Sequence, residues 1–189
     1  MGDDRSQLGF LIAALGAAVL AVSVFLPWYG VSITGSGAAT AQQELAAVAR
    51  QYGNGTFQTG ATALGAEFGS LAGRQLATVS AHESLKDISA ILLVLAAVAF
   101  LASLLRLAGM TGLLEAGGGQ IALAGGVAAL FVLYRMLQPP SGETGLVSLS
   151  LQWGSWLALL SAAAIVAGGV IAASAQSRRQ PAAGYGPQV

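Results

Sequence analysis

Three stretches of the chain, Leu8 to Pro27, Ile88 to Leu105 and Gly154 to Ala175, run without a charged side chain, and a fourth, Ile121 to Leu137, carries only Arg135 near its end. A helix rises about 1.5 Å per residue, so roughly 20 residues cover the ~30 Å of a bilayer's hydrocarbon. Each run has close to that length. Hydrocarbon offers no partner to a backbone amide, so runs of this kind dissolve in lipid as helices that satisfy their own hydrogen bonds. The pattern predicts an all-α membrane protein, a four-helix transmembrane bundle, with the remaining chain forming a small extracytoplasmic α+β cap of two or three short strands.

Composition points the same way. Of 189 residues 55% are hydrophobic and 8% are charged, where a soluble domain carries about 25% charge. Eight basic and eight acidic residues cancel, and the basic ones never cluster beyond the pair Arg178 and Arg179, which excludes a nucleic-acid surface. Cysteine is absent, so neither a disulfide framework nor a thiolate metal site is available. The single lysine among the basic residues, with heavy use of Ala, Gly and Leu, points to a GC-rich, bacterial coding genome.

The expected organisation follows from the runs. Residues 1–7 form a cytoplasmic start, 8–27 the first span, 28–87 an extracytoplasmic subdomain, 88–107 the second span and 108–119 a cytoplasmic turn. Residues 120–137 form the third span, 138–153 an outer loop with a strand, 154–175 the fourth span, and 176–189 a disordered cytoplasmic tail. Within the long loop, Val31 to Thr34 reads as a strand and Ala39 to Gln51 as a helix, with a break over Gly53 to Gly60. Leu64, Phe68 and Leu71, continued by Leu76 and Val79, read as a second helix laid across the mouth of the bundle. Leu149, Leu151 and Trp153 alternate with Ser148, Ser150 and Gln152, which predicts a strand over Leu146 to Trp153 on the same side as Val31 to Thr34, able to pair with it.

Both termini are expected in the cytoplasm of a cell-membrane protein. That arrangement gathers Arg5, Arg106, Arg178 and Arg179 inside, and charges on a loop as long as 28–87 do little to steer insertion. Trp28, Tyr29, Tyr134, Trp153 and Trp156 fall at one end of the spans and read as an aromatic belt at the headgroup level, with Arg135 beside them.

The chain offers little chemistry. His82 and Glu83 are poorly spaced for metal binding; Ser80 with Glu83 and Ser84 with Asp87 fit S-x-x-E and S-x-x-D, the pattern of residues capping the second span. Ser23, Ser89, Ser103 and Ser161 are the polar groups inside or beside spans, and a membrane-helix serine bonds its own preceding carbonyl more often than it lines a pore. Arg106 and Arg135 sit near helix ends, within reach of Glu115 or Glu143 across a turn. No catalytic residue, cofactor or metal site is expected. The remaining signal is small residues spaced by four: Ala13, Ala17 and Ala21 in the first span, Ala122 and Gly126 in the third, Ala164, Gly168 and Ala172 in the fourth. Such faces let helix backbones approach closely, within the bundle or against another protein.

The FLPWYG end of the first span, the SAHESLKDIS segment before the second and the GGVAALFVLYR third span resemble small four-span membrane proteins of GC-rich bacteria, which bring no established activity with them. More remotely, the layout is similar to claudin-like four-span (tetraspan) proteins, with Leu26, Pro27 and Trp28 matching the end of their first span. The loop lacks that family's paired cysteines and the Trp/Leu/Trp motif downstream, so a barrier role is not carried over. The expectation is a non-enzymatic membrane protein acting through helix assembly and its outer loop, with membrane lipid and a homo-oligomeric or other membrane-protein partner. An oligomeric large-pore channel is the alternative.

Overall fold

The structure is a computed structural model that describes residues 2–52, 55–84, 86–110, 117–138 and 147–178. Four helices are long and apolar enough to cross a membrane: α1 (Gly2–Ser23), α5 (Lys86–Leu107), α6 (Gly118–Leu137) and α7 (Trp153–Ser177). They form a ring in which α1 packs on α7 and α5, and α6 packs on α7 and α5. Between α1 and α5 lie β1 (Pro27–Ile33), the helices α2 (Gly35–Tyr52) and α3 (Gly55–Leu71), β2 (Gln75–Ser80) and the single turn α4 (Ala81–Ser84). A third strand, β3 (Val147–Leu151), leads into α7.

The bundle is packed the opposite way from a water-soluble one. Its interior is rich in alanine, with Ala13, Ala17, Ala96, Ala99, Ala128 and Ala162 set among the larger Phe10, Leu20, Leu92, Ile121, Val132 and Ile165. Leu15, Val22, Val94, Leu123, Leu130 and Leu160 point outward and stay exposed. In water that exposed apolar band would exceed what a soluble monomer tolerates; in hydrocarbon it costs nothing, and small interior residues let backbones touch.

The sheet has the order β2-β1-β3, with both pairings antiparallel. β1 and β3 align Tyr29 with Leu151 and Ile33 with Val147, so the pairing expected between the two outer segments is present. β1 starts four residues earlier than read from sequence, because α1 ends at Ser23 and not at Pro27. Tight turns then follow, Phe25 N–H donating to the Val22 carbonyl at 3.0 Å and Leu26 N–H to the Ser23 carbonyl at 3.2 Å.

Thr34, read as the end of a strand, instead caps α2: its hydroxyl oxygen accepts the Gly37 N–H at 2.9 Å. Of the break expected over Gly53 to Gly60, residues 53–54 lie outside the described residues, while Gly55 and Gly60 belong to α3. The helix expected to continue through Leu76 and Val79 stops at Leu71, and those two residues lie in β2. Gly73, at φ +74°, makes that reversal in a backbone region that disfavours side chains, and its N–H donates to the Ile33 carbonyl at 2.9 Å. The expected docking of α3 across the bundle mouth also fails, since α3 packs chiefly on α2. The third and fourth spans begin at Gly118 and Trp153, slightly ahead of the expected residues, while the tail beyond Arg178 lies outside the described residues.

Candidate interaction surfaces

Helix α7 is the hub of the bundle, and a pair of adjacent glycines makes it so. A Cβ placed on Gly168 would lie 2.5 Å from the Gly9 carbonyl oxygen and 2.6 Å from the Ala13 nitrogen; one on Gly169 would lie 2.5 Å from the Ala122 nitrogen and 2.7 Å from the Gly118 carbonyl oxygen. Gly168 thus faces α1 and Gly169 faces α6. The contacts are reciprocal: a Cβ on Gly9 would fall 2.7 Å from the Ala172 nitrogen, and one on Gly125 would fall 2.8 Å from Cγ2 of Ile165. All three helices meet backbone to backbone, a geometry in which Cα–H groups sit against carbonyls.

This places the small-residue ladders. Ala13, Ala17 and Ala172 are buried, and Gly168 is filled by α1, so their faces are occupied inside the chain. Ala122 backs onto Gly169, and Ala164 onto Gly16. Gly126 differs: nothing stands within 4 Å of its would-be Cβ. Gly9, Gly16, Gly118, Gly125 and Gly169 were missed because only spacing of four was sought. Gly9 with Gly16, and Gly118 with Gly125, recur at seven residues, two helical turns, and that period would have found them.

Ala17 and Ala21, with Ala18, also border an apolar groove of ≈430 Å³ between α1 and α5, closed on the other side by Leu93, Ala96, Ala97 and Phe100. The buried serines do not line it. Ser23 donates to the Leu20 carbonyl at 2.7 Å, Ser103 to Ala99 at 2.7 Å, Ser155 to Gln152 at 2.8 Å and Ser161 to Ala158 at 2.9 Å. Each hydroxyl satisfies itself on its own chain neighbourhood, as short polar side chains in apolar helices do.

The expected aromatic belt divides in two. Tyr134, Trp153 and Trp156 are exposed at 51%, 72% and 50%. Trp28 and Tyr29, in contrast, are buried, so their place in the belt is corrected: they pin the sheet to the bundle. The Trp28 indole N–H donates to the Ser23 carbonyl at 2.7 Å, while its own carbonyl accepts the Gln152 N–H at 2.8 Å. The Tyr29 hydroxyl donates to the Arg135 carbonyl at 2.9 Å, joining β1 to the end of α6. Burial pushes the Tyr29 phenol above its ordinary value of 10.0, against the opposing pull of the Arg135 guanidinium. The buried hydrogen bonds that turn Trp28 and Tyr29 inward depend on where α1 ends, which is Ser23 and not Pro27 as read from sequence.

On the cap, α2 and α3 form a hairpin in which Gln42 donates to the Gly65 carbonyl at 2.7 Å beside a cleft of ≈340 Å³ lined by Ala46, Ala49, Ala61, Thr62 and Ala66. The outer faces of this hairpin keep Val48, Leu64 and Phe68 exposed. His82 is exposed, its ring 5.5 Å from that of Phe25 and its N–H on the Val24 carbonyl at 3.2 Å. Among the described residues no three His, Cys, Asp or Glu gather as metal ligands. Asp87 lies in the first turn of α5, where a carboxylate suits the helix dipole. Glu115 and Glu143 lie outside the described residues.

No family model, curated protein or solved structure matches the chain.

Proposed function

We propose that this chain is a multi-pass protein of the cell membrane, with both termini in the cytoplasm and the sheet and α2–α3 hairpin outside, and that it works without catalysis, through protein contacts made by that outer cap. Most of the small-residue faces first considered for assembly are engaged within the bundle, with Gly126 and the groove edge at Ala21 as the exceptions, and the cap is read as the recognition surface. The observation that carries this reading is the exposed stripe of Leu64 and Phe68 on α3, 54% and 38% accessible, joined by Val48 of α2 at 43%. On the four long helices such exposure meets lipid; on the cap it meets water unless another protein covers it. The partner is a second copy or another membrane protein presenting a complementary apolar face.

A photoreactive residue at Phe68, activated in native membranes, tests this. The expected result is a discrete adduct, at twice 18.8 kDa for self-association or at another defined mass for a partner. Leu64→Glu with Phe68→Glu should abolish the adduct while leaving the melting temperature nearly unchanged, as substitutions at exposed positions do. Absence of any adduct from Phe68, or an adduct undiminished by the charged pair, would refute the proposal.

A further inference from the structure

Near the end of α6 stands a cation that is partly shielded from water and, among the described residues, faces no carboxylate. The Arg135 Nε is buried and has no hydrogen-bond partner. One terminal nitrogen reaches the Gln138 carbonyl at 3.5 Å, the outer limit of a hydrogen bond. Among the described residues no carboxylate pairs with it. An arginine that merely snorkels extends its head group into water, where every N–H is hydrated; here the innermost N–H is shielded, so the guanidinium is partly dehydrated and its charge acts through a lower dielectric. A charge in that state favours an anion at its accessible edge.

Its level in the bundle indicates which anion. α6 and α7 run antiparallel, with Gly118 against Gly169 and Gly125 against Ile165. Continuing that register sets Arg135 at the level of the first turn of α7, the turn that carries the exposed indoles of Trp153 and Trp156. Indoles of this kind reside at the headgroup level. The planar guanidinium fork matches two oxygens of a phosphate, which a point-charge ammonium does not.

We propose that Arg135 is a phosphate-binding residue, holding the phosphate of an anionic phospholipid headgroup or free phosphate against the outer end of α6. The proposal rests on the membrane reading above. It is tested with the full chain in vesicles of phosphatidylcholine or phosphatidylglycerol brominated near the headgroup end of the acyl chains, reading quenching of tryptophan fluorescence. Trp28 is buried, so the quenched signal comes from Trp153 and Trp156. The expected result is an effective preference of about fivefold for the anionic lipid, the scale set by one basic residue at a charged surface. Arg135→Gln should remove it, and Arg135→Lys should keep only part of it.

Equal quenching by the two lipids, with a melting temperature raised by inorganic phosphate in the wild type and not in Arg135→Gln, would assign free phosphate as the ligand. Equal quenching with no effect of phosphate overturns the proposal. So does a preference undiminished in Arg135→Lys, the variant to use should Arg135→Gln not fold. Absence of quenching by either lipid would instead strike at the membrane reading itself.

Discussion

Replacing Gly168 and Gly126 by alanine should move stability in opposite directions, although both glycines lie in apolar helices and both belong to ladders of small residues spaced by four. At Gly168 the new Cβ would stand 2.5 Å from the Gly9 carbonyl oxygen and 2.6 Å from the Ala13 nitrogen, where ordinary contact begins at 3.4 Å. Both neighbours are backbone, so no flexible side-chain end can swing away. α1 must retreat from α7 by most of an ångström, loosening the reciprocal contact of Gly9 with Ala172 as it goes. Overpacking of this kind costs about 1–3 kcal/mol, against a gain of about 1 kcal/mol at most from the better helix propensity of alanine. With the full propensity gain subtracted, the net loss centres on about 1 kcal/mol, or about 2–4 °C in melting temperature for a chain of this size. At Gly126 nothing lies within 4 Å, so only the propensity gain of up to about 1 kcal/mol remains. Thermal melts of both variants in one detergent, followed by tryptophan fluorescence, decide the matter. A Gly168→Ala protein melting at or above the wild type, or a Gly126→Ala protein that falls as far, would refute the packing argument.

Three further outcomes are expected. Tyr29→Phe removes the hydroxyl that bonds the Arg135 carbonyl and should lower stability by about 1 kcal/mol at neutral pH, measured by the same melts. The folded state holds the Tyr29 proton more tightly than the unfolded chain does. That contribution is therefore complete below pH 10.0 and is lost as pH climbs through the raised folded value, so the alkaline fall in melting temperature should be smaller in Tyr29→Phe. Because the chain has no native cysteine, single thiols introduced at Thr59 and Ser177 report sidedness cleanly: an impermeant maleimide applied to intact cells should label Thr59→Cys and spare Ser177→Cys, and the reverse pattern would invert the topology.

The four long helices were legible because a membrane span is read from run length alone, and length survives ignorance of tertiary contacts. The β1–β3 pairing was legible too, since Leu149 and Leu151 alternate with Ser148 and Ser150, although Trp153, read as the end of that strand, opens α7. β2 was not. Leu76 and Val79 fall near the helical period begun by Leu64 and Phe68, and only the left-handed turn at Gly73 separates the two elements. The packing face was half legible: Gly168 was identified by its spacing from Ala164 and Ala172, while Gly169, one residue on and equally close to a neighbour, belonged to no ladder of four. Trp28 and Tyr29 were read as members of an exposed belt and are buried, because an aromatic at the end of a span can satisfy its polar tip with water or with a carbonyl, and sequence does not say which carbonyls are near.

The glycine pair of α7 also has a consequence for biosynthesis. Ribosomes deliver α1, β1 and α6 before α7, yet α1 and α6 meet chiefly through that later helix, and one edge of β1 waits for β3 just ahead of it. Until residues 147–177 emerge, a nascent chain carries two glycine-notched rods without their common mate and a strand paired on its β2 edge alone. Premature stops after α6 should therefore yield not a smaller functional protein but an orphaned membrane intermediate, a natural substrate for quality-control proteolysis.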